Sequence, residues 1–175
     1  YIIISGKVKI CMGSNKKEQI LHIAVENDYL GYECLMKYSK YCTSSVTLTD
    51  TQTAFIPKDI FTYLMQTKPE LANAFAELLS ASLMRKDRKL ADISYEPVRG
   101  RLAGALLELE LKFKDKENSD ILLTRAELAS YIGSVRETTT RLLSEFREDK
   151  IIETDGGSIK VINRNKLIAL SNLYN

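Results

Sequence analysis

The most constraining feature of the sequence is a pair of helix starts only ten residues apart. Thr124 and Glu127 have the spacing of a capping box, and so do Ser134 and Glu137. Gly133 lies between them, so the first helix is short, and the second is predicted to continue to about residue 149. Two helices joined by a tight turn that contains glycine form a helix-turn-helix.

Strand-like segments follow the two helices. Residues 151–154 and 158–162 flank Asp155-Gly156-Gly157, which is a hairpin signal. A further helix, residues 98–114, precedes the helix-turn-helix and has leucine and alanine on one face. Residues 96–175 are therefore predicted to form a winged helix-turn-helix domain.

The second predicted helix has two contrasting faces. The face predicted to pack inward carries Val135, Thr138 or Thr139, Leu142, Leu143 and Phe146, and the opposite face carries Arg136, Glu137, Thr140, Arg141 and Ser144. A guanidinium can form a bidentate pair with guanine, and a carboxylate can accept from cytosine, in the major groove. The alternative is that Glu137 only closes a capping box and that both arginines are merely solvated.

A long helix is predicted before this domain. Residues 70–94 contain neither Gly nor Pro, and Pro69 opens the segment. Residues 72, 76, 79, 83, 86, 90 and 93 form a seam of period 3.5, as in a two-stranded coiled coil. Residues 67–95 are thus predicted to be a dimerisation helix, the alternative being an amphipathic helix that faces its own core.

Residues 1–66 read as strands and turns. Strand-like runs cover residues 1–4, 7–12, 18–25, 44–49 and 52–56. We predict a partial, jelly-roll-like β-roll here and hence an α+β chain. Because Tyr1 already lies in a strand-like run, we expect the natural N-terminus to lie upstream.

Composition narrows the function classes. The net charge is +2, and residues 96–175 hold 13 Lys or Arg against 13 Asp or Glu, so any DNA contact must come from the placement of charges. His22 is the one histidine, which leaves no Ser/His/Asp or Cys/His set, and we expect no enzyme, catalytic residue or metal site. Three irregularly spaced cysteines suggest a reducing cytoplasm, and no apolar run approaches membrane length.

The sequence resembles the Crp/Fnr family of bacterial transcription regulators. The residues that carry the resemblance are Thr124-Arg125-Ala126-Glu127-Leu128-Ala129, Val135-Arg136-Glu137-Thr138-Thr139-Thr140-Arg141, Val98-Arg99-Gly100-Arg101-Leu102-Ala103 and Asp28-Tyr29-Leu30-Gly31. The resemblance implies a homodimer with a cyclic-nucleotide-binding-like β-roll sensor, a helical dimer interface and a winged helix-turn-helix that reads a palindromic double-stranded operator. RNA polymerase is a further candidate partner.

The same resemblance implies the DNA contacts. Arg136, Glu137 and Arg141 would read bases, with Thr140 on the same face. Thr124, Arg125 and Lys160 would lie where side chains commonly touch phosphates, although other exposed polar residues would serve equally well.

The sensor segment departs from the cyclic-AMP-binding members. They have a ribose-binding Glu and a phosphate-binding Arg-Ser pair after the glycine that matches Gly31, where this chain has Tyr32, Cys42 and Thr43. Without the arginine, a buried cyclic phosphate would lack its main charge partner. We therefore predict an unknown small-molecule effector other than cyclic AMP, and the sequence assigns no cofactor.

Further sensor residues leave alternatives open. By the same resemblance, Lys86 and Asp87 occupy the place from which the dimer helix of family members reaches the nucleotide, and they depart from the family pattern there. Lys86 is either a substitute cation for another anionic ligand or a seam residue that lowers coiled-coil stability or sets register. Cys34 and Cys42 form a redox switch or are buried and inert. Tyr29, Tyr32, Tyr38 and Tyr41 line an apolar effector pocket or belong to the β-roll core. In oxygen-sensing members an iron–sulfur cluster is held mostly upstream of this segment.

Two function classes follow. The leading hypothesis is a sequence-specific, DNA-binding transcription regulator controlled by an effector or a redox signal in the β-roll. The alternative is a regulatory protein–protein interaction module without DNA binding, which the balanced charge of residues 96–175 favours.

Overall fold

The chain divides into two units, and five strands precede the first long helices. A computed structural model describes residues 1–14, 17–35, 40–114 and 120–171. The first unit comprises residues 1–10 and 24–94, and the second comprises residues 11–23 and those from 95 onward. None of the helices in the described ranges is long and apolar enough to cross a membrane.

Five strands follow one another in the N-terminal half: β1 (Ile2–Ser5), β2 (Val8–Ser14), β3 (Lys17–Ala24), β4 (Ser44–Thr47) and β5 (Gln52–Ala54). β1 pairs antiparallel with β5, and β2 lies between β3 and β4. Alternate side chains of the first strands point into a buried apolar cluster of Ile3, Val8, Ile10, Ala24 and Leu30. The predicted strands are confirmed with boundaries shifted by up to two residues.

Residues 58–66 correct the prediction that the chain is strand and turn up to residue 66. They form most of helix α1 (Lys58–Thr67). Their β-branched and aromatic side chains favour a strand locally. Tertiary packing favours the helix instead, because the helix buries Phe61 against Phe75. The centroids of the two rings are 5.0 Å apart.

The long helix is confirmed as α2 (Pro69–Tyr95). Among its 27 residues only Ser82 is buried within this chain. Leucines and isoleucine of the predicted seam remain exposed, namely Leu79, Leu83, Leu90 and Ile93.

The second unit packs helices against a small sheet. Its helices are α3 (Val98–Phe113), α4 (Arg125–Ile132), α5 (Arg136–Glu148) and α6 (Arg164–Ser171), and its strands are β6 (Ile121–Leu122), β7 (Ile152–Asp155) and β8 (Ser158–Val161). β8 pairs antiparallel with both β6 and β7. The glycines of the β7–β8 turn adopt positive φ, 52° at Gly156 and 109° at Gly157, as a tight hairpin requires. The predicted α+β class is confirmed.

Sequence inspection missed β6 and α6. The start of α6 carries a recognisable signal, because the Asn163 side chain accepts from the backbone N–H of Lys166 at 3.0 Å. The helix then buries Leu167 and packs along α3, where an added Cβ on Gly104 would lie 3.9 Å from Ser171.

The segment 11–23 contacts helices of the second unit. Ser130 on α4 donates its hydroxyl to the carbonyl of Glu18 at 2.7 Å and accepts from the backbone N–H of Ile20 at 2.8 Å. Lys112 on α3 donates to the carbonyl of Ile23 at 2.6 Å. These hydrogen bonds join the segment to α4 through Ser130 and to α3 through Lys112.

Candidate nucleic-acid interface

The first helix of the motif is fixed at both ends. Glu127 donates its backbone N–H to the Thr124 hydroxyl at 3.2 Å, and the Glu127 carboxylate accepts from the backbone N–H of Thr124 at 3.0 Å. This confirms the predicted capping box. Gly133 ends α4 in the left-handed region, with φ of 65°, where a side chain would be strained.

The second predicted capping box is wrong. Val135, rather than Ser134, is the N-cap of α5, and no side chain caps the helix. Ser134 instead donates its backbone N–H to the carbonyl of Ala129 at 2.9 Å. The backbone of Ser134 therefore completes the hydrogen bonds at the C-terminal end of α4. Glu137 is the second residue of α5, one position before the residue that would close a capping box with the N-cap.

Arg101 on α3 holds the turn between the two helices. Its guanidinium donates to three carbonyls, those of Glu96 at 2.8 Å, Ile132 at 3.0 Å and Gly133 at 3.1 Å. Tyr131 adds a contact between α4 and α3 by donating to Glu108 at 2.7 Å, and burial raises the pKa of its hydroxyl. The orientation of α5 relative to α4 thus rests on buried polar contacts as well as on apolar packing.

The inner face of α5 is largely as predicted. Thr139, Leu142, Leu143 and Phe146 are buried, and the Thr139 hydroxyl donates to the carbonyl of Val135 at 3.0 Å. Val135 corrects the prediction, because as the N-cap it lies outside the helical repeat and its side chain is exposed.

The outer face of α5 is open to solvent. Arg136, Glu137, Thr140 and Arg141 are all exposed. Arg141 donates to the carboxylate of Glu145 at 2.5 Å, whereas no ion pair of Arg136 is found among the described residues. Two guanidiniums at the N-terminal half of an exposed helix have the placement that major-groove reading requires.

Glu145 joins this face to α3, a connection that sequence inspection missed. Its second carboxylate oxygen accepts from Arg99 at 2.5 Å, and Arg99 also approaches Asp149 at 3.5 Å. The Arg99 guanidinium lies 5.1 Å from the centroid of the buried Phe146 ring. The i, i+4 spacing of Arg141 and Glu145 was the available signal for half of this network.

The three predicted phosphate contacts lie at the start of α4 and in β8. Thr124 and Lys160 are exposed, and Arg125 is half-buried. One terminal nitrogen of Arg125 is buried without a hydrogen-bond partner, and burial, followed by the positive charge of Arg147, lowers the pKa of its guanidinium. Arg147 was not predicted as a site residue, and it places a second cation near Arg125.

The first unit contains two neighbouring cavities. The larger, of about 540 Å³, is lined by Tyr1 and Ile2, by residues 29–32, 34, 35 and 41, by Phe55 and Ile56, and by side chains of α1 and α2. The smaller, of about 390 Å³, lies among the strands and is lined by Thr43, Ser45, Thr47, Thr51 and Thr53 with apolar neighbours.

The predicted effector residues divide between these cavities and the surface. Gly31 lines both cavities, Tyr32 lines the larger and Thr43 the smaller. Cys42, Lys86 and Asp87 line neither cavity and are exposed. Lys86 approaches the carboxylate of Glu33 at 3.9 Å. Of the predicted tyrosines, Tyr29, Tyr32 and Tyr41 line the larger cavity, and Tyr38 lies outside the described residues.

The burial of the cysteines corrects one of the two interpretations. Cys11 is buried, but Cys34 is only half-buried and Cys42 is exposed, so the buried, inert alternative is wrong for the latter two. Their sulfurs approach the same carbonyl oxygen, that of Lys40, at 3.0 Å and 4.0 Å.

Comparison with known proteins decides the family. Residues 1–68 match the family model of the cyclic nucleotide-binding domain, and residues 100–170 match that of the Crp-like helix-turn-helix domain. The chain belongs to the Crp/Fnr family. This family consists of transcription regulators.

Relatives of this Crp/Fnr protein cover nearly its whole length. The CRP-like cAMP-activated global transcriptional regulator of Mycobacterium tuberculosis is 29% identical over 172 residues, which are 95% of this chain and 77% of the relative. The global nitrogen regulator of Synechococcus elongatus is 28% identical over 93% of this chain and 77% of its own length. A CRP/FNR-family regulator from Thermus thermophilus has the same fold, with a TM-score of 0.84 at 24% identity over 99% of this chain and 88% of that one.

Proposed function

We propose that this Crp/Fnr protein binds a palindromic double-stranded operator as a homodimer and regulates transcription from it. The observation that carries the proposal is the exposed guanidinium pair of Arg136 and Arg141 on a helix whose other face is fully buried. A rigidly seated helix can offer these groups to base edges at little further cost in ordering. Arg136, Glu137, Thr140 and Arg141 are the proposed base-reading residues.

Phosphate contacts would place this helix in the groove. Thr124 and Arg125 lie at the start of α4, Lys160 lies in β8, and Arg147 on α5 supplies an additional cation near Arg125. The helix itself has three arginines and three glutamates, so the proposed contact depends on where individual cations lie rather than on an excess of positive charge.

Dimerisation through α2 would supply the second half of a palindrome reader. Leu83 on its seam is 60% exposed, and the neighbouring seam residues are exposed as well.

A charge at the position of Leu83 should dissociate a dimer because it would be buried unpaired in the interface. We expect Leu83→Glu to be monomeric by sedimentation equilibrium. The control is Leu111→Glu, which alters a leucine of almost equal exposure, 59%, on α3. A dimeric Leu83→Glu would contradict the proposed interface.

The sensor is proposed to respond to something other than cyclic AMP. The smaller cavity, whose wall includes Thr43, has no Arg or Lys among its lining residues in the described part of the chain. Lys86, the substitute cation considered above, is exposed and already near Glu33. A buried cyclic phosphate would therefore lose its water without gaining a charged partner.

A redox signal is a second proposed input. Cys34 and Cys42 are accessible to solvent, and both sulfurs approach the Lys40 carbonyl. Exposed thiols in one short loop region can oxidise to a disulfide when the backbone brings them within bonding geometry. We further expect the protein to act in the cytoplasm, with RNA polymerase as a partner once it is bound to DNA.

DNA binding is tested by selecting fragments from a random duplex pool and measuring their affinity by fluorescence anisotropy. Arg136→Ala and Arg141→Ala should each lose roughly 1–3 kcal/mol of discrimination against the wrong base. The matched control is Arg164→Ala, because Arg164 is exposed on α6 and ion-paired with Glu110 rather than facing outward from α5. If the wild-type protein enriches no sequence and binds no duplex at low salt, the protein–protein interaction module becomes the better hypothesis.

A further inference from the structure

We propose that Lys86 and Asp87 fix the direction and register in which two copies of α2 pair. In a parallel, in-register dimer each Lys86 forms an ion pair with Asp87 of the partner subunit. The proposal rests on the proposed dimerisation through α2 and adds how the two helices recognise each other. It assigns Lys86 to the dimer interface rather than to a ligand.

One side of α2 is already covered within the first unit. Phe75 packs against Phe61, with ring centroids 5.0 Å apart, and the buried Ser82 shares a 3.0 Å hydrogen bond with the hydroxyl of Tyr32. Residues 75 and 82 are two helical turns apart and therefore lie on the same side of the helix. The seam lies on another side and is open, since Leu90 is 66% exposed.

Lys86 is the one charged residue of an otherwise apolar seam. The other seam residues are alanine, leucine or isoleucine, at positions 72, 76, 79, 83, 90 and 93. A second copy of the seam would bury the Lys86 ammonium, and a buried charge without a partner is strongly destabilising. A single polar seam residue specifies register when it is matched in its own layer. The interface must therefore supply a carboxylate at the level of Lys86.

Asp87 of the second copy lies at that level. In a parallel two-stranded coiled coil a seam side chain enters a hole formed by four residues of the facing helix. For Lys86 the hole is formed by residues 83, 86, 87 and 90 of the partner subunit, and among these only Asp87 is acidic. Consecutive residues of one helix do not face each other, so Lys86 and Asp87 pair between copies rather than within one.

The contacts within one copy leave both groups free for this pairing. Asp87 is exposed, and no ion pair of Asp87 is found in the part of the chain that the structure describes. The Lys86 side chain is 56% exposed and lies 3.9 Å from the carboxylate of Glu33. An ion pair this long and this exposed contributes little, so Lys86 can exchange Glu33 for Asp87 of the partner subunit at small cost.

Other alignments of the same seam lack the pairing. Antiparallel helices with full overlap would place Lys86 opposite Leu79. A parallel pair shifted by one heptad would place Lys86 opposite Leu79 or Ile93, where the next residue is Ser80 or Ser94 instead of Asp87. Each of these alignments buries a lysine without a carboxylate, so the charges favour the parallel, in-register pair.

Sedimentation equilibrium of the full chain tests the pairing by exchanging its charges. In a dimer, Lys86→Asp leaves only carboxylates in the layer, and Asp87→Lys leaves only ammonium groups. We expect each variant alone to raise the dimer dissociation constant about tenfold or more. An equimolar mixture of the two variants again places opposite charges face to face, as does the double variant Lys86→Asp/Asp87→Lys. Both should return to within about threefold of the wild-type dissociation constant.

Control variants separate the layer from net charge and from Glu33. Arg88→Asp and Glu77→Lys make the same kinds of charge change at exposed positions of α2 away from the seam, and both should dimerise like the wild-type protein. Glu33→Gln removes the contact of Lys86 within its own copy and should also leave the dimer unchanged. Far-ultraviolet circular dichroism establishes that each variant is folded.

The outcomes distinguish the layer from the dimer itself. Single variants that dimerise as tightly as the wild-type protein would refute the pairing, and so would a mixture that stays as weak as its components. If Leu83→Glu dissociates the dimer in the same assay, the proposed interface stands without the charged layer. A monomeric wild-type protein would refute both.

Discussion

Replacing Glu145 by glutamine is expected to lower the stability of the winged domain and to raise its affinity for DNA. The Glu145 carboxylate accepts from Arg99 through one oxygen and from Arg141 through the other, both at 2.5 Å. Arg141 must leave this carboxylate to reach a base or a phosphate. The ion pair that organises the free surface therefore competes with the proposed DNA contact.

The size of the expected change in DNA affinity follows from the exposure of the Arg141–Glu145 ion pair. The side chain of Arg141 is 66% exposed and that of Glu145 34% exposed, so their i, i+4 interaction is worth about 0.3–0.5 kcal/mol. Releasing Arg141 should thus lower the dissociation constant for DNA about twofold. Stability should fall by about 0.5–1 kcal/mol, because glutamine still accepts a hydrogen bond from Arg99 and the Arg99–Phe146 contact remains.

Chemical unfolding and fluorescence anisotropy on the selected duplex measure the two effects. Glu110→Gln is the matched control, since Glu110 accepts from Arg164 at 2.6 Å on a surface pair away from α5. It should lose a similar amount of stability and leave DNA affinity unchanged. If Glu145→Gln binds the duplex as weakly as or more weakly than the wild-type protein, Glu145 orients Arg141 for DNA instead of competing with it, and the reasoning is refuted.

Three other changes test the local structure of the two units. Thr124→Ala removes the capping box of α4 and should cost about 1 kcal/mol in chemical unfolding, and an unchanged midpoint would show that the cap is dispensable. Gly31→Ala should destabilise the first unit by about 1–3 kcal/mol, measured in the same way, because φ is 72° and the added Cβ would lie 2.7 Å from an aromatic ring atom. A thiol reagent should modify Cys34 and Cys42 within the native protein while Cys11, 1% exposed, reacts only on unfolding; peptide mass spectrometry distinguishes them, and equal rates at all three would contradict the described burial.

Local sequence signals predicted the parts of the fold that short-range interactions determine. The capping box at Thr124, the left-handed glycine at 133 and the Gly156-Gly157 turn each depend on residues within a few positions of one another. The same holds for α2, where a run without Gly or Pro and a repeating apolar seam were sufficient. In these elements the local pattern agrees with the global fold, so the sequence was sufficient to predict them.

Where local preference and tertiary packing disagreed, packing decided. Residues 58–66 have strand-like composition, yet they form a helix that buries Phe61 against Phe75. Ser134 has the spacing of a cap, yet its backbone completes the end of α4. The first outcome depends on Phe75, which lies on the next helix. The second is a competition between two local signals, because the carbonyl that accepts from Ser134 belongs to Ala129, five residues earlier.

Sequence patterns alone therefore identified the helix-turn-helix with its wing, the long helix α2 and the face of α5 that carries Arg136 and Arg141. Folding was needed to bring Glu145 between Arg141 and Arg99 and to gather the sensor aromatics around a cavity with almost no charge. The physical reason is distance along the chain. Caps and helical faces arise from neighbours in sequence, whereas ion-pair networks and cavity walls combine side chains that only folding brings together.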